Sequence, residues 1–273
     1  MDTYHTMEPL DNEREFVTSF QTDVVNGGSN TTPPTWWSDE SGAEMKQRTF
    51  LNPLPDGGDI IGGNYHALVS TAMLSDSKQT FAVIVESSKG CISAQSGNLT
   101  IMLHRRTNHS DDQGPTPPND TSVLQSPMRL LVGPSLDVEA LRHEVRYTMA
   151  VPLGVAAGLP AWGSATSFDG IDSWRAEYKT TLTFFQRSLP QNVHLLSFAV
   201  WENGGPQPQQ TQVILRLQHV FEVGVHPVWS LDATVDLTEL FTPQVGFEIC
   251  KESEASLPRA RGRGEGEGLR EVL

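Results

Sequence analysis

The chain has 273 residues, 37% hydrophobic and 8% aromatic, which is enough to bury the core of one large all-β domain or two smaller ones. Its formal net charge of -14 and isoelectric point near 4.9 exclude a nucleic-acid surface, which needs a basic face, and suit a neutral or cationic partner. No run approaches the ~20 apolar residues of a membrane span, and the opening MDTYHTMEPLDNERE has neither the basic start nor the apolar centre of a signal peptide.

Residues 1–15 read as acidic and irregular, and Glu15 to Thr22 as a first strand. The NGGSNTTPP loop, Asn26 to Pro34, leads to an aromatic strand from Trp36 that turns at Gly42, and Glu44 to Phe50 returns, a hairpin pattern. A Gly/Pro-rich connection, Pro53 to Gly63, precedes strands at Tyr65 to Leu74 and Phe81 to Glu86, separated by the polar turn Ser75 to Gln79. Pro127 to Val132 is a further strand. Asp137 to Met149 is the single helical candidate, with Val138, Leu141 and Val145 at helical spacing and Ser135 as its cap, although strand alternation fits nearly as well.

After a small-residue loop from Gly154 to Gly170, Val193 to Trp201 is apolar on both faces, as in a central strand covered on both sides. Thr211 to Val223 alternates, with Val213, Leu215, Leu217, Phe221 and Val223 on one side. Ala233 to Leu240 and Phe247 to Cys250 complete the strands. Residues 251–273 have an RARGRGEGEG core and read as a disordered tail. The expected fold is therefore all-β: a large antiparallel β-sandwich over 1–250, divisible near 190, with one short helix.

The chemically richest stretch is Asn98 to Gly114, NLTIMLHRRTNHSDDQG. Leu99, Ile101 and Leu103 share one side of a half-buried strand, and His104, Arg105, Arg106, Asp111 and Asp112 gather where it ends. Such an end is either a solvated ion-pair cluster or a pair of guanidinium groups presented to a carboxylate or sugar hydroxyl. Four of the ten asparagines, Asn30, Asn98, Asn108 and Asn119, begin N-x-Ser/Thr sequons, which favours a secretory-pathway history. Cys91 and Cys250 either pair or stay separate thiols. The histidines are scattered, no H-E-x-x-H, C-x-x-C or G-x-S-x-G occurs, and adjacent Asp111 and Asp112 diverge too much to act as a glycosidase pair.

Together, Trp37-Ser-Asp-Glu-Ser-Gly42, Gly63-Asn-Tyr-His66 with Asp76 beyond, Gly97 to Arg106 leading to Asp111-Asp112, Leu189-Pro-Gln-Asn-Val-His-Leu-Leu196 and Val213 to Phe221 resemble the C-terminal β-sandwich region of glycoside hydrolase family 38, the lysosomal-type α-mannosidases. The resemblance spans roughly residues 12 to 250. It implies a galactose-mutarotase-like supersandwich, lysosomal, vacuolar or secretory location, α-mannoside glycans as substrate, and a retaining zinc-dependent mechanism. It also implies that zinc and the aspartate nucleophile belong to a separate N-terminal catalytic domain. This chain then holds no metal and no catalytic residue, and is inactive alone as a truncated product or a subunit.

In that family the C-terminal domain lends the cleft a tyrosine from an N-x-Tyr-Pro segment and an arginine from Arg-Arg-x-x-x-Asp-Asp. By position, Arg105 or Arg106 is the cleft arginine and Asp111 and Asp112 hold its loop. Simple alternation puts Arg105 on the side of Leu103, and a bulge would exchange the two arginines. The Tyr-Pro pair is His66-Ala67 here, with Tyr65 one residue earlier, and Asp-Asp-x-Arg-Gly becomes Asp111-Asp-Gln-Gly114. The alternative is a stand-alone carbohydrate-binding or interaction sandwich in which Trp36 or Trp37 stacks on sugar rings.

Overall fold

The computed structural model describes residues 1–11, 13–28, 32–42, 44–107, 121–150, 183–201, 212–237 and 240–242. Asp111, Asp112, Asn30, Asn108, Asn119, Cys250, the loop from Gly154 to Gly170, the strand expected at Phe247 to Cys250 and the tail fall outside them. Met1–Val155 with Val220–Leu231 forms one compact unit, and Ala156–His219 with Asp232–Leu273 the other.

The first unit is an open antiparallel sandwich. Its strands are β1 (Asp2–Met7), β2 (Arg14–Gln21), β3 (Thr35–Asp39), β4 (Met45–Thr49), β5 (His66–Leu68), β6 (Thr71–Ser75), β7 (Thr80–Val85), β8 (Lys89–Ile92), β9 (Asn98–Arg106) and β10 (Leu124–Gly133), followed by the helix α1 (Ser135–Ala150). One sheet has the order β1-β10-β7-β6-β3-β4 and the other β2-β9-β8-β5. Between them lies a core that includes Trp36, Leu68, Leu74, Val83, Leu99, Ile101 and Met128. A smaller cluster, Met73, Ala82 and Val138 with Trp37, Met45 and Leu131, packs α1 on the outer face of the six-stranded sheet.

Several expectations are corrected. Residues 2–7 form a strand, not irregular chain. Thr3, His5 and Met7 turn inward and alternate with more exposed neighbours, so the inward set is mostly polar and an apolar count overlooks it. Lys89–Ile92 is likewise a strand that was not anticipated.

The single strand expected from Tyr65 to Leu74 is two, β5 and β6, in different sheets. The break has a cause in Asp39, which is 1% exposed. Its Oδ1 accepts from the amides of Ser70 (2.9 Å) and Thr71 (2.8 Å), and its Oδ2 from the Ser70 hydroxyl (2.7 Å). These bonds take the donors a continuing strand would have used and steer the chain across the core. The turn from Asp76 works the same way. Its carboxylate accepts from the amides of Val25, Lys78 and Gln79 at 2.8, 2.7 and 2.9 Å, and these bonds hold its pKa below the ordinary 3.8.

A depressed folded-state pKa contributes stability above the unfolded value and loses it as pH falls through the folded one. Asp76→Asn is therefore expected to lower the melting temperature near neutral pH, with the gap from the parent closing below pH 3.8. A gap that widens on acidification contradicts this.

The helix is present, but its buried face differs. Val138, Arg142 and His143 are buried while Leu141 is 46% exposed. Ser135 lies within the helix instead of capping it, and its hydroxyl is 2.9 Å from that of Thr80. In the second unit, β11 (Val193–Trp201) pairs with β12 (Gln212–His219) in a two-stranded sheet. With Leu196 56% exposed, β11 is not a strand covered on both sides. That role belongs to β7, where all six residues are buried between the core and α1. The Thr211 to Val223 alternation ends at His219, with Phe221 buried in the first unit and Val223 97% exposed. Residues 233–237 form no strand; Phe241 makes an isolated bridge to Phe185.

Candidate functional site

β9 carries the residues singled out at its end, and its register with β2 decides where they point. Glu15 faces Arg105 and Arg14 faces Arg106, but Phe16 pairs with His104 and Val17 with Met102, so Leu103 is an extra residue, a β-bulge. Before it, Leu99 and Ile101 face the core. After it the alternation reverses, and the arginines are exchanged relative to simple alternation. Arg105 stands on the solvent side with its Nε 3.3 Å from Glu15 Oε1. Arg106 turns inward, where its Nη1 donates to the carbonyl of buried Leu10. Next to it the Thr107 hydroxyl donates to the Glu13 carboxylate at 3.1 Å.

Tyr65 joins the Arg105 side. It follows the short 3-10 turn Gly62–Asn64, whose Asn64 is buried and binds Leu51 through both its backbone N–H (2.8 Å) and its carbonyl (2.9 Å). The Tyr65 ring lies over Gly90 of β8, where a Cβ would come within 3.3 Å of its Cδ1. The absence of a side chain at Gly90 lets the ring settle on the sheet. Burial raises the Tyr65 phenol pKa, and the negative charge of Glu15 raises it further. Phenol, carboxylate and guanidinium, drawn from three strands or their approaches, thus share the outer face of the four-stranded sheet.

His66 does not join them. It pairs with Cys91 on the core side, its ring 5.6 Å from that of Trp36, and burial lowers its pKa, with Arg48 adding to the effect. Cys91 is fully buried, and burial pushes its thiol up to about 12, with the neighbouring Trp36 and Ser38 side chains opposing the rise. In a Cys250→Ala chain, thiol reagents are expected to label Cys91 on the order of a thousandfold more slowly folded than unfolded. Equal rates contradict that placement.

A second polar group was not anticipated from sequence. Arg142, 2% exposed, is gripped by Glu139 Oε2 (2.5 Å) and by both Glu222 oxygens (2.9 and 2.6 Å). Glu222 Oε1 also accepts from the Met45 amide at 3.1 Å. Burial raises the Glu139 carboxyl pKa despite Arg142. A cavity of about 380 Å³ lies beside this clamp, with Trp37, Met45 and Met73 among its lining residues. Trp36 is 0% exposed, so it cannot stack on a sugar; Trp37 is half-buried. Among the described residues no three His, Cys, Asp or Glu side chains converge as a metal site would require, so they do not fit a zinc ion.

The Tyr65, Glu15 and Arg105 group offers donors and acceptors for hydroxyls on an open antiparallel sheet. No family model matches the chain. Curated proteins named α-mannosidase do align over most of it. An Arabidopsis thaliana α-mannosidase is 28% identical over 245 residues, 84% of this chain and 22% of that protein. The human epididymis-specific α-mannosidase is 30% identical over 222 residues, 74% and 21% respectively, and the human lysosomal α-mannosidase 26% over 256 residues, 89% and 23%. The chain thus spans about a fifth of the length of the relatives it matches.

Proposed function

We propose that these residues form the C-terminal β-sandwich wall of a retaining, zinc-dependent α-mannosidase of glycoside hydrolase family 38. On this reading the zinc ligands and the aspartate nucleophile lie in a catalytic domain outside these 273 residues. The observation that carries the reading is that Arg105, paired with Glu15, and Tyr65 stand on one face of the four-stranded sheet, within a sequence that aligns with proteins named α-mannosidase over 74–89% of its length. Arg105, held on one edge by Glu15, presents its remaining N–H groups to substrate hydroxyls. Tyr65, kept protonated by its surroundings, adds a donor. Neither residue makes or breaks the glycosidic bond. Their task is to hold an α-mannoside glycan against the catalytic half, whose metal would grip sugar hydroxyls when bound.

Lysosomal or other secretory-pathway location follows from the names of the relatives and from the four sequons. The chain alone, supplied with zinc, is expected not to hydrolyse a nitrophenyl α-mannoside. Turnover comparable to that of a complete α-mannosidase would overturn the division of labour.

A further inference from the structure

Of the four sequons, Asn98 is the one whose asparagine lies among the described residues, and its surroundings can be read atom by atom. It opens β9 directly after Gly97, whose φ of 77° makes the tight turn that brings the Asn98 amide to the Gln95 carbonyl at 3.1 Å. Leu99 and Ile101 are fully buried, so alternation turns Asn98 and Thr100 to the opposite, solvent side of the sheet. There the Thr100 hydroxyl donates to Asn98 Oδ1 at 3.0 Å, and Asn98 Nδ2 donates to Gln21 Oε1 at 3.3 Å in an exposed contact. The neighbouring side chains, Gln21 and Ser19, belong to β2, the edge strand, so the space beside the amide opens past the sheet rim.

We propose that Asn98 is an N-glycosylation site, and that the end of the four-stranded sheet carrying it faces solvent in the complete protein. The donor is an oligosaccharide linked to a lipid pyrophosphate. A bond forms between Asn98 Nδ2 and C1 of the donor's first sugar, the bond from C1 to the pyrophosphate oxygen breaks, and the lipid pyrophosphate leaves as Nδ2 gives up one proton. Both local hydrogen bonds survive the reaction. Oδ1 is untouched and still accepts from Thr100, while Nδ2 keeps one N–H, enough for Gln21. Arg105 lies seven residues further along β9, about 23 Å away at the rise of an extended chain, so the glycan leaves the Tyr65, Glu15 and Arg105 surface clear. One face is thereby divided into a sugared, open end and a bare end.

The test expresses the full chain behind a cleavable secretory leader in a eukaryotic cell. The peptide spanning Asn98 is read by mass spectrometry from cell-associated and secreted chain together, before and after peptide N-glycosidase, which converts a glycosylated asparagine to aspartate. Conversion at Asn98 is expected, its loss in Thr100→Ala, and its retention in Thr100→Ser. An unconverted Asn98 overturns the proposal, whether or not Asn30, Asn108 or Asn119 carry sugar, and so does conversion that persists in Thr100→Ala. The outcome is independent of mannosidase activity, so it separates cleanly from a failure of the functional reading.

Discussion

Asp39→Ala is expected to destabilise the fold by about 3–5 kcal/mol, because it leaves two backbone amides and a hydroxyl buried without their acceptor. The three donors, Ser70 N, Thr71 N and Ser70 Oγ, all lie within 2.9 Å of the carboxylate, and Asp39 itself is 1% exposed, so water cannot replace it without opening the core. Asp39→Asn is the informative comparison. It keeps an Oδ1 for both amides and asks only the Ser70 hydroxyl to turn, toward Thr71 Oγ1 at 3.3 Å, so its cost falls to about 1 kcal/mol. Urea denaturation of both variants measures this ratio. Equal costs would mean that Asp39 acts through its charge and not as the acceptor that breaks the chain between β5 and β6.

Arg142→Met carries the second large effect, about 3–5 kcal/mol near neutral pH, because it strands Glu139 and Glu222 together in a site built for a cation. Its pH dependence distinguishes it from a packing defect. Without Arg142, Glu139 loses the cation that opposes its burial and keeps the raising influences of burial and of Glu222, so the folded form binds more protons than the unfolded and stability rises as pH falls. The penalty is expected to shrink on acidification toward the ordinary carboxylate range. A penalty that is the same at pH 7 and pH 5 would contradict the charge argument.

Neither of these residues reads as a buried charge in the sequence, and the reason is common to both. Each is a charged group with compensation from elsewhere in the chain: Asp39 from Ser70 and Thr71, and Arg142 from Glu222, 80 positions away, beside Glu139 one turn earlier in its own helix. Position 142 lies four residues after Val138 and three before Val145, on the apolar stripe of the helix, where an arginine reads as an interruption and only the fold supplies the second carboxylate that accommodates it. Strands with one apolar face were legible, as β9 is from Leu99, Ile101 and Leu103. β1 was not, because Thr3 and His5 occupy its inward positions.

The candidate site was legible as a set of residues but not as a geometry. Which arginine faces outward depends on one extra residue, Leu103, and nothing in the LTIMLHRR run marks a bulge. Glu15 was read as the start of a strand, and its pairing with Arg105 appears only once β2 pairs with β9.

The most direct test replaces the aligned region of the Arabidopsis thaliana α-mannosidase with this chain and measures kcat/KM on a nitrophenyl α-mannoside. The account predicts hydrolysis by the graft and a loss of about 10–100-fold in Arg105→Ala, the size of a hydrogen bond from a charged group worth about 1.5–3 kcal/mol. A graft that folds and stays inactive, or an Arg105→Ala graft as active as its parent, would contradict it.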